Sequence, residues 1–151
     1  MMKKVDWKSI SHFEGPEQSP GFLLWQVSSQ WRRLIEEALS TLGLTHPQFV
    51  LLASLGWLTR HQAQVSQVEL AQHCKMDISM TSQVLRSLEQ KGHIKRLQLK
   101  GNERSKFPCL APSGSQLIEK AIPLIEQIDK SFFQKLDSDV GKCLEILKKL
   151  A

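Results

Sequence analysis

Four polar side chains near the middle of the chain, Ser79, Ser82, Gln83 and Arg86, fall on one side of a helix predicted from Asp77 to Lys91. Thr81, Val84, Leu85 and Leu88 fall on the other side at spacings of three and four. A stripe of hydroxyl, amide and guanidinium groups has the chemistry to read base pairs. Gln matches the adenine edge, Arg matches guanine, and Ser reaches bases or phosphates. Asp77 can cap the helix, whose first backbone N–H groups are suited to a phosphate. An ordinary amphipathic helix shows the same two faces, so the neighbouring residues must decide.

Those neighbours are cationic. Lys95 and Arg96 stand at the base of a predicted hairpin, and Lys100, Arg104 and Lys106 lie around its tip. A basic finger beside a groove-reading helix has the reach to touch phosphates or the adjacent minor groove. Net charge is +5 over 151 residues, and its distribution is uneven. Residues 1–65 carry +1, residues 66–110 carry +4 and residues 111–151 are neutral. On charge alone, such a local basic excess fits a polyanionic partner and a solvated surface equally well.

The elements that position these residues can be read in turn. Ser19-Pro20 reads as the start of a long helix, with Gly43 as its stop. Thr45-His46-Pro47-Gln48 resembles a capping box opening a largely apolar helix to Leu58. Ser66-Gln67-Val68-Glu69 is a second capping box, opening a short helix to about Cys74. Lys75-Met76 makes a turn, and Asp77 starts the two-faced helix, which Gly92 ends. The period then becomes alternating from Ile94 to Leu99, with a turn at 100–103 and a returning strand from Phe107 to Leu110. Pro108 restricts that strand to an edge. Pro112 opens a helix reaching Leu136, in which Pro123 should introduce a kink. A last helix begins near Ser138. Two short helices, a tight turn and a hairpin describe a winged helix-turn-helix. The expected fold class is mainly α with a small β-wing, flanked by N- and C-terminal dimerisation helices. The expected division is 1–44 for an N-terminal arm and scaffold helix, 45–111 for the winged region and 112–151 for C-terminal helices.

Other function classes find little support. The longest apolar stretch, Phe49 to Leu58, is far short of the roughly 18 residues a membrane span needs. The basic start leads into no apolar block, so a cytoplasmic protein is expected. Three cysteines, Cys74, Cys109 and Cys143, with no CxxC spacing read as reduced, buried thiols. His61, His73, Cys74 and His93 match no metal-ligand spacing, and no metal or cofactor is expected. GxGxxG, P-loop, GxSxG and HExxH motifs are absent, which argues against an enzyme.

Leu44 to Leu52, Val65 to Ala71 and Met76 to Gly92 together resemble the multiple-antibiotic-resistance regulator (MarR) family. So do the wing run Asn102 to Lys106 and the following Leu110 to Gly114. The resemblance is specific over 44–114 and, by helix order, extends over about 20–150. It implies a homodimeric winged-helix transcriptional regulator, more often a repressor, bound to double-stranded DNA at a pseudo-palindromic operator. Ser79, Ser82, Gln83 and Arg86 would act in the major groove, and Lys95, Arg104 and Lys106 from the wing. Asn102 stands where the family carries an acid two residues before Arg104, and Gln83 where it often carries a base. The apolar surface of the terminal helices exceeds what one small winged domain needs; it either completes a monomeric core or is covered in a two-fold dimer, and the resemblance favours the dimer. The resemblance also implies a small aromatic or amphipathic effector, for which Trp25, Trp31, His46, Phe49 and Trp57 are candidate contacts, although for each of them taken singly plain core packing is the favoured explanation. No cysteine precedes Cys74, so an N-terminal oxidant sensor is not expected. The alternative function is a winged-helix protein–protein interaction module without specific DNA binding.

Overall fold

The structure, a computed structural model, describes every residue except Met2, Lys3 and Gln62; for Leu99 and residues 102–106 it describes the backbone alone. It is mostly helical, with one two-stranded antiparallel sheet. The chain divides into two units, Met1–Leu34 and Ile35–Ala151.

The first unit holds a short helix α1 (Trp7–Ile10), a 3-10 turn (Pro16–Gln18) and most of α2 (Pro20–Ser40). Ser19 starts α2 as expected, its Oγ accepting from the Phe22 N–H at 3.2 Å. Phe22, Leu23, Leu24, Trp25 and Val27 are all exposed on its first turns.

The second unit is built around α3 (His46–Thr59), which packs against α4 (Gln67–His73), α5 (Ile78–Gln90), α6 (Pro112–Phe133) and the wing. The capping box that starts α3 is present: Thr45 Oγ1 accepts from the Gln48 N–H, and Gln48 Oε1 accepts from the Thr45 N–H. Ile35 and Leu39 from the end of α2 join Leu51, Leu52, Leu55, Leu70, Leu85, Leu88, Ile94 and Ala121 in the core, all essentially inaccessible. Gly56 lets α3 and α6 approach, since a Cβ there would lie 2.8 Å from Ile118 Cδ1.

The wing is β1 (Ile94–Leu99) paired with β2 (Asn102–Leu110), in register Ile94 to Leu110 and Arg96 to Pro108. The returning strand therefore begins five residues earlier than its alternation suggests. Pairing to β1 supplies the order that the polar run 102–106 does not announce. With two strands only, both are edges, which is how Pro108 is tolerated.

Past the wing, α6 continues through Pro123, whose missing N–H leaves the Glu119 carbonyl without its usual helical donor. The helix ends at Phe133, three residues before the expected Leu136. A 3-10 segment (Gln134–Asp139) follows, in which Asp137 has φ of 52°. A residue at φ 52° and ψ −120° cannot continue an α-helix, and residues other than glycine rarely adopt this conformation. The last helix, α7 (Val140–Leu150), has no buried residue. Among the described residues, no helix is long and apolar enough to cross a membrane.

Candidate nucleic-acid interface

The site is set by how α4 and α5 are started, stopped and joined. Ser66 Oγ accepts from the Glu69 N–H at 3.2 Å, and Glu69 Oε2 accepts from the Ser66 N–H at 2.7 Å. The backbone bond first, then the hydroxyl, holds the Glu69 carboxyl below the usual carboxylate range. At the other end of α4 the Lys75 N–H donates to the Gln72 carbonyl and the Met76 N–H to the Ala71 carbonyl. This is a Schellman stop, with Lys75 at φ 51° in the place where glycine is usual. It turns the chain sharply into α5, where Asp77 Oδ1 accepts from the Met80 N–H at 3.0 Å.

Within α5 the two faces separate as the spacing predicts. Thr81, Leu85 and Leu88 are buried, and the Thr81 hydroxyl is satisfied by the Asp77 carbonyl at 2.8 Å. Ser79, Gln83 and Arg86 are exposed, while Ser82 and Val84 are half-buried. The helix closes on a second Schellman stop: the His93 N–H reaches the Leu88 carbonyl, and Gly92 supplies φ of 77°. The described side chains thus form an exposed hydroxyl, amide and guanidinium stripe on a helix anchored by its opposite face.

The wing divides its cations by strand parity. Lys95 is exposed. Arg96 shares a face with the buried Ile94 and is turned towards α5, only 11% exposed. Its Nε lies 3.2 Å from Glu89 Oε2, an ion-pair distance whose alignment falls short of a hydrogen bond, and Nη2 reaches the Ser82 carbonyl at 3.5 Å. Arg96, read from sequence as a second cation at the wing base, instead ties the wing to α5. The side chains of Arg104 and Lys106 lie outside the described residues.

The aromatic candidates for an effector fall in both units. Trp25 (68% exposed) and the half-buried Trp31 belong to the first unit. His46, Phe49 and Trp57 lie on α3 in the second unit, the first two half-buried and the third exposed. The Arg60 guanidinium sits 3.6 Å from the centre of the Trp57 ring, covering part of one face. The three cysteines are free thiols, and all are half-buried rather than buried. Burial pushes the Cys74 thiol up, opposed by a hydrogen bond with the Ser54 side chain, so it is held as the less reactive thiol. Among the described residues no group of histidines, cysteines or carboxylates is arranged to hold a metal ion.

Comparison with known proteins agrees with this architecture. The model of the MarR family matches residues 44–106, the span from the α3 cap to the wing. The chain is 38% identical over 147 residues to the uncharacterized HTH-type transcriptional regulator YdcH of Bacillus subtilis (strain 168), covering 95% of this chain and 99% of that one. It is 32% identical over 116 residues to the HTH-type transcriptional repressor Rv2887 of Mycobacterium tuberculosis, covering 77% and 81%. Among solved structures, a cysteine-to-serine variant of MarR from Escherichia coli complexed with operator DNA superposes with a TM-score of 0.74 at 28% identity, covering 85% of this chain and 90% of that one.

Proposed function

This chain belongs to the MarR family of DNA-binding transcriptional regulators, and from that premise we propose that it is a repressor working as a homodimer on a pseudo-palindromic operator. The observation that carries the reading is the division of α5, with Thr81, Leu85 and Leu88 buried against Ser79, Gln83 and Arg86 exposed. In the proposed mode, Gln83 and Arg86 meet base edges in the major groove, and Ser79 and Ser82 position the helix on bases or phosphates. Lys95, Arg104 and Lys106 act from the wing on the neighbouring backbone or minor groove.

Two such helices must meet successive major grooves about 34–36 Å apart, which a two-fold dimer supplies. Residues 1–44 and 112–151 are proposed to form that dimer around the winged region 45–111. The exposed apolar residues of α2 and α7 support this role. An aromatic or amphipathic effector would act as a population shift, favouring dimers whose recognition helices are wrongly spaced. On α3, His46, Phe49 and Trp57 are its candidate contacts, and Trp25 and Trp31 on α2 are the others. The activity is binding, with no chemical step, and its setting is taken to be the cytoplasm.

Selection from random duplex DNA tests the proposal. Enrichment of a two-fold motif is expected. Gln83→Ala should change preference at particular base pairs, by about 1–3 kcal/mol for a bidentate contact, whereas Arg104→Ala should weaken binding broadly. Affinity should fall steeply with salt. An acidic protein partner meeting the same basic surface would share the salt dependence but enrich no duplex motif, and that result sinks the proposal. A stable monomer by light scattering sinks the dimer separately.

A further inference from the structure

The exposed face of α5 accounts for base reading, but a separate polar cluster holds the opposite end of that helix. Gln48, on the first turn of α3, is only 5% exposed. Its Oε1 accepts from the Thr45 N–H at 3.0 Å and from Lys91 Nζ at 3.2 Å, and its Nε2 donates to Ser87 Oγ at 2.7 Å. Lys91 Nζ also donates to the Gly43 carbonyl at 2.9 Å. Ser87 lies on the last turns of α5, and Lys91 is its C-cap. Three of these bonds therefore join the end of α5 to the corner where α2 gives way to α3, and the fourth fastens Gln48 within that corner.

The chemistry of this cluster is directional. A primary amide offers two donor hydrogens and two acceptor lone pairs, and three of these four are engaged by named partners. A leucine of similar volume would fill the space without the desolvation cost of a buried amide. What an amide adds is geometry, because its bonds fix both distance and angle. Lys91 adds a charge-assisted bond to a carbonyl just beyond the end of α2, where the helix dipole favours a cation.

We infer that Gln48 and Lys91 are positioning residues for DNA recognition, setting the tilt and depth of α5 through Ser87 and the Gly43 carbonyl. The inference rests on the reading of α5 as the groove-reading helix. Ser87 lies one turn beyond Gln83, so the helix transmits its position directly. Ser79 lies eight residues from Ser87, about 12 Å along the axis. A tilt of about 5° at the latch therefore moves the far end of the base-reading stripe by about 1 Å, enough to break a hydrogen bond. The same contacts tie that tilt to the corner at 43–45.

The experiment compares the full chain with charge-neutral Gln48→Leu, with Ser87→Ala and with Lys91→Met and Lys91→Arg. Each is titrated against the duplex enriched by the wild-type protein and a scrambled duplex of equal length, and each is melted. Gln48→Leu should lower the ratio of the two affinities by about tenfold while leaving scrambled-duplex binding within about twofold, and Ser87→Ala should lower it by about threefold. Lys91→Met should lower the ratio, and Lys91→Arg should restore it. A merely structural role would weaken both duplexes together, in step with the melting temperature. That pattern, or an unchanged ratio in a folded Gln48→Leu or Ser87→Ala protein, overturns the inference. If Gln48→Leu fails to fold, the milder Ser87→Ala and the Lys91 pair decide. Gln83→Ala and Arg86→Ala run alongside: if they leave the ratio unchanged, the reading of α5 itself fails, whereas a change there with none at Gln48 and Ser87 removes this inference alone.

Discussion

The segment from Ser66 to Gly92 and the terminal helices treat their side chains in opposite ways. In the first, both helices are capped at their starts by side chains, closed by Schellman stops and joined by one left-handed residue. Its apolar residues Leu70, Leu85 and Leu88 are buried, and its polar stripe faces outward. In α7 the start has no side-chain cap and no residue is buried. Its ion pairs, Lys142 with Asp139 and Lys148 with Glu145, are exposed and three residues apart, a kind that contributes little. Leu150 is 74% exposed. An 11-residue helix is marginal in water without tertiary packing. One chain therefore completes the part proposed to face DNA and leaves incomplete the parts proposed to face a second copy.

The largest expected effects put the two regions side by side. Leu85→Ala removes a fully buried side chain and should lower unfolding free energy by about 2–5 kcal/mol at every protein concentration. Leu144→Asp changes an exposed residue and should leave a folded chain, but raise the concentration at which dimers dissociate by at least about tenfold. Urea unfolding at two concentrations with light scattering separates these outcomes. Equal, concentration-independent losses would break the comparison.

One substitution with opposite signs sharpens it. At Gly114 an added Cβ would lie 2.1 Å from the His93 carbonyl oxygen, a backbone atom with little room to yield. The same junction carries the Ser113 Oγ bond to the Gly92 carbonyl at 2.8 Å, so the start of α6 is fastened to the stop of α5. Because that hydroxyl donates its one hydrogen to Gly92, the contact at 3.1 Å requires His93 Nδ1 to be the donor. Gly114→Ala should cost about 1–3 kcal/mol. At Gly141 in α7 a Cβ would meet nothing within 4 Å, and Gly141→Ala should stabilise by up to about 1 kcal/mol. Thermal melting of both variants checks the signs, and two losses of equal size would count against an open α7.

Local chemistry explains what could be read without coordinates. The boxes at Thr45–Gln48 and Ser66–Glu69, the cap at Asp77 and the stops at Gly43 and Gly92 act within three to five residues, so their residue types announce them. The two faces of α5 follow from helical period alone. The burial of Arg96 does not, because strand alternation gives its parity but not which face meets α5. The same limit hid the second use of Gln48: its capping bond spans three residues, while its bonds to Ser87 and Lys91 span 39 and 43. The break at Asp137 was equally silent, since no glycine or proline marks it. Lys75 likewise occupies a left-handed position that its residue type does not advertise.

The smallest effect concerns the two helix starts, one boxed and one open. Glu69 accepts from Ser66 N–H and is fully exposed, so its lowered pKa comes from hydrogen bonding to the charged form, not from burial. A carboxyl whose folded pKa lies below its unfolded value of about 4.5 contributes stability above that value. The contribution is lost as pH falls through the lower folded value. Asp139 at the start of α7 accepts no capping bond from its own helix backbone, so that start has no equivalent box. Glu69→Gln keeps an acceptor without the charge or the titration, so it should flatten the acid limb of the stability curve by losing that small contribution at neutral pH and meeting the wild-type curve in acid. Carboxyl titration by NMR gives the direct check. A Glu69 that titrates at its ordinary value would mean the box is open in solution, and α4 would then begin no more firmly than α7.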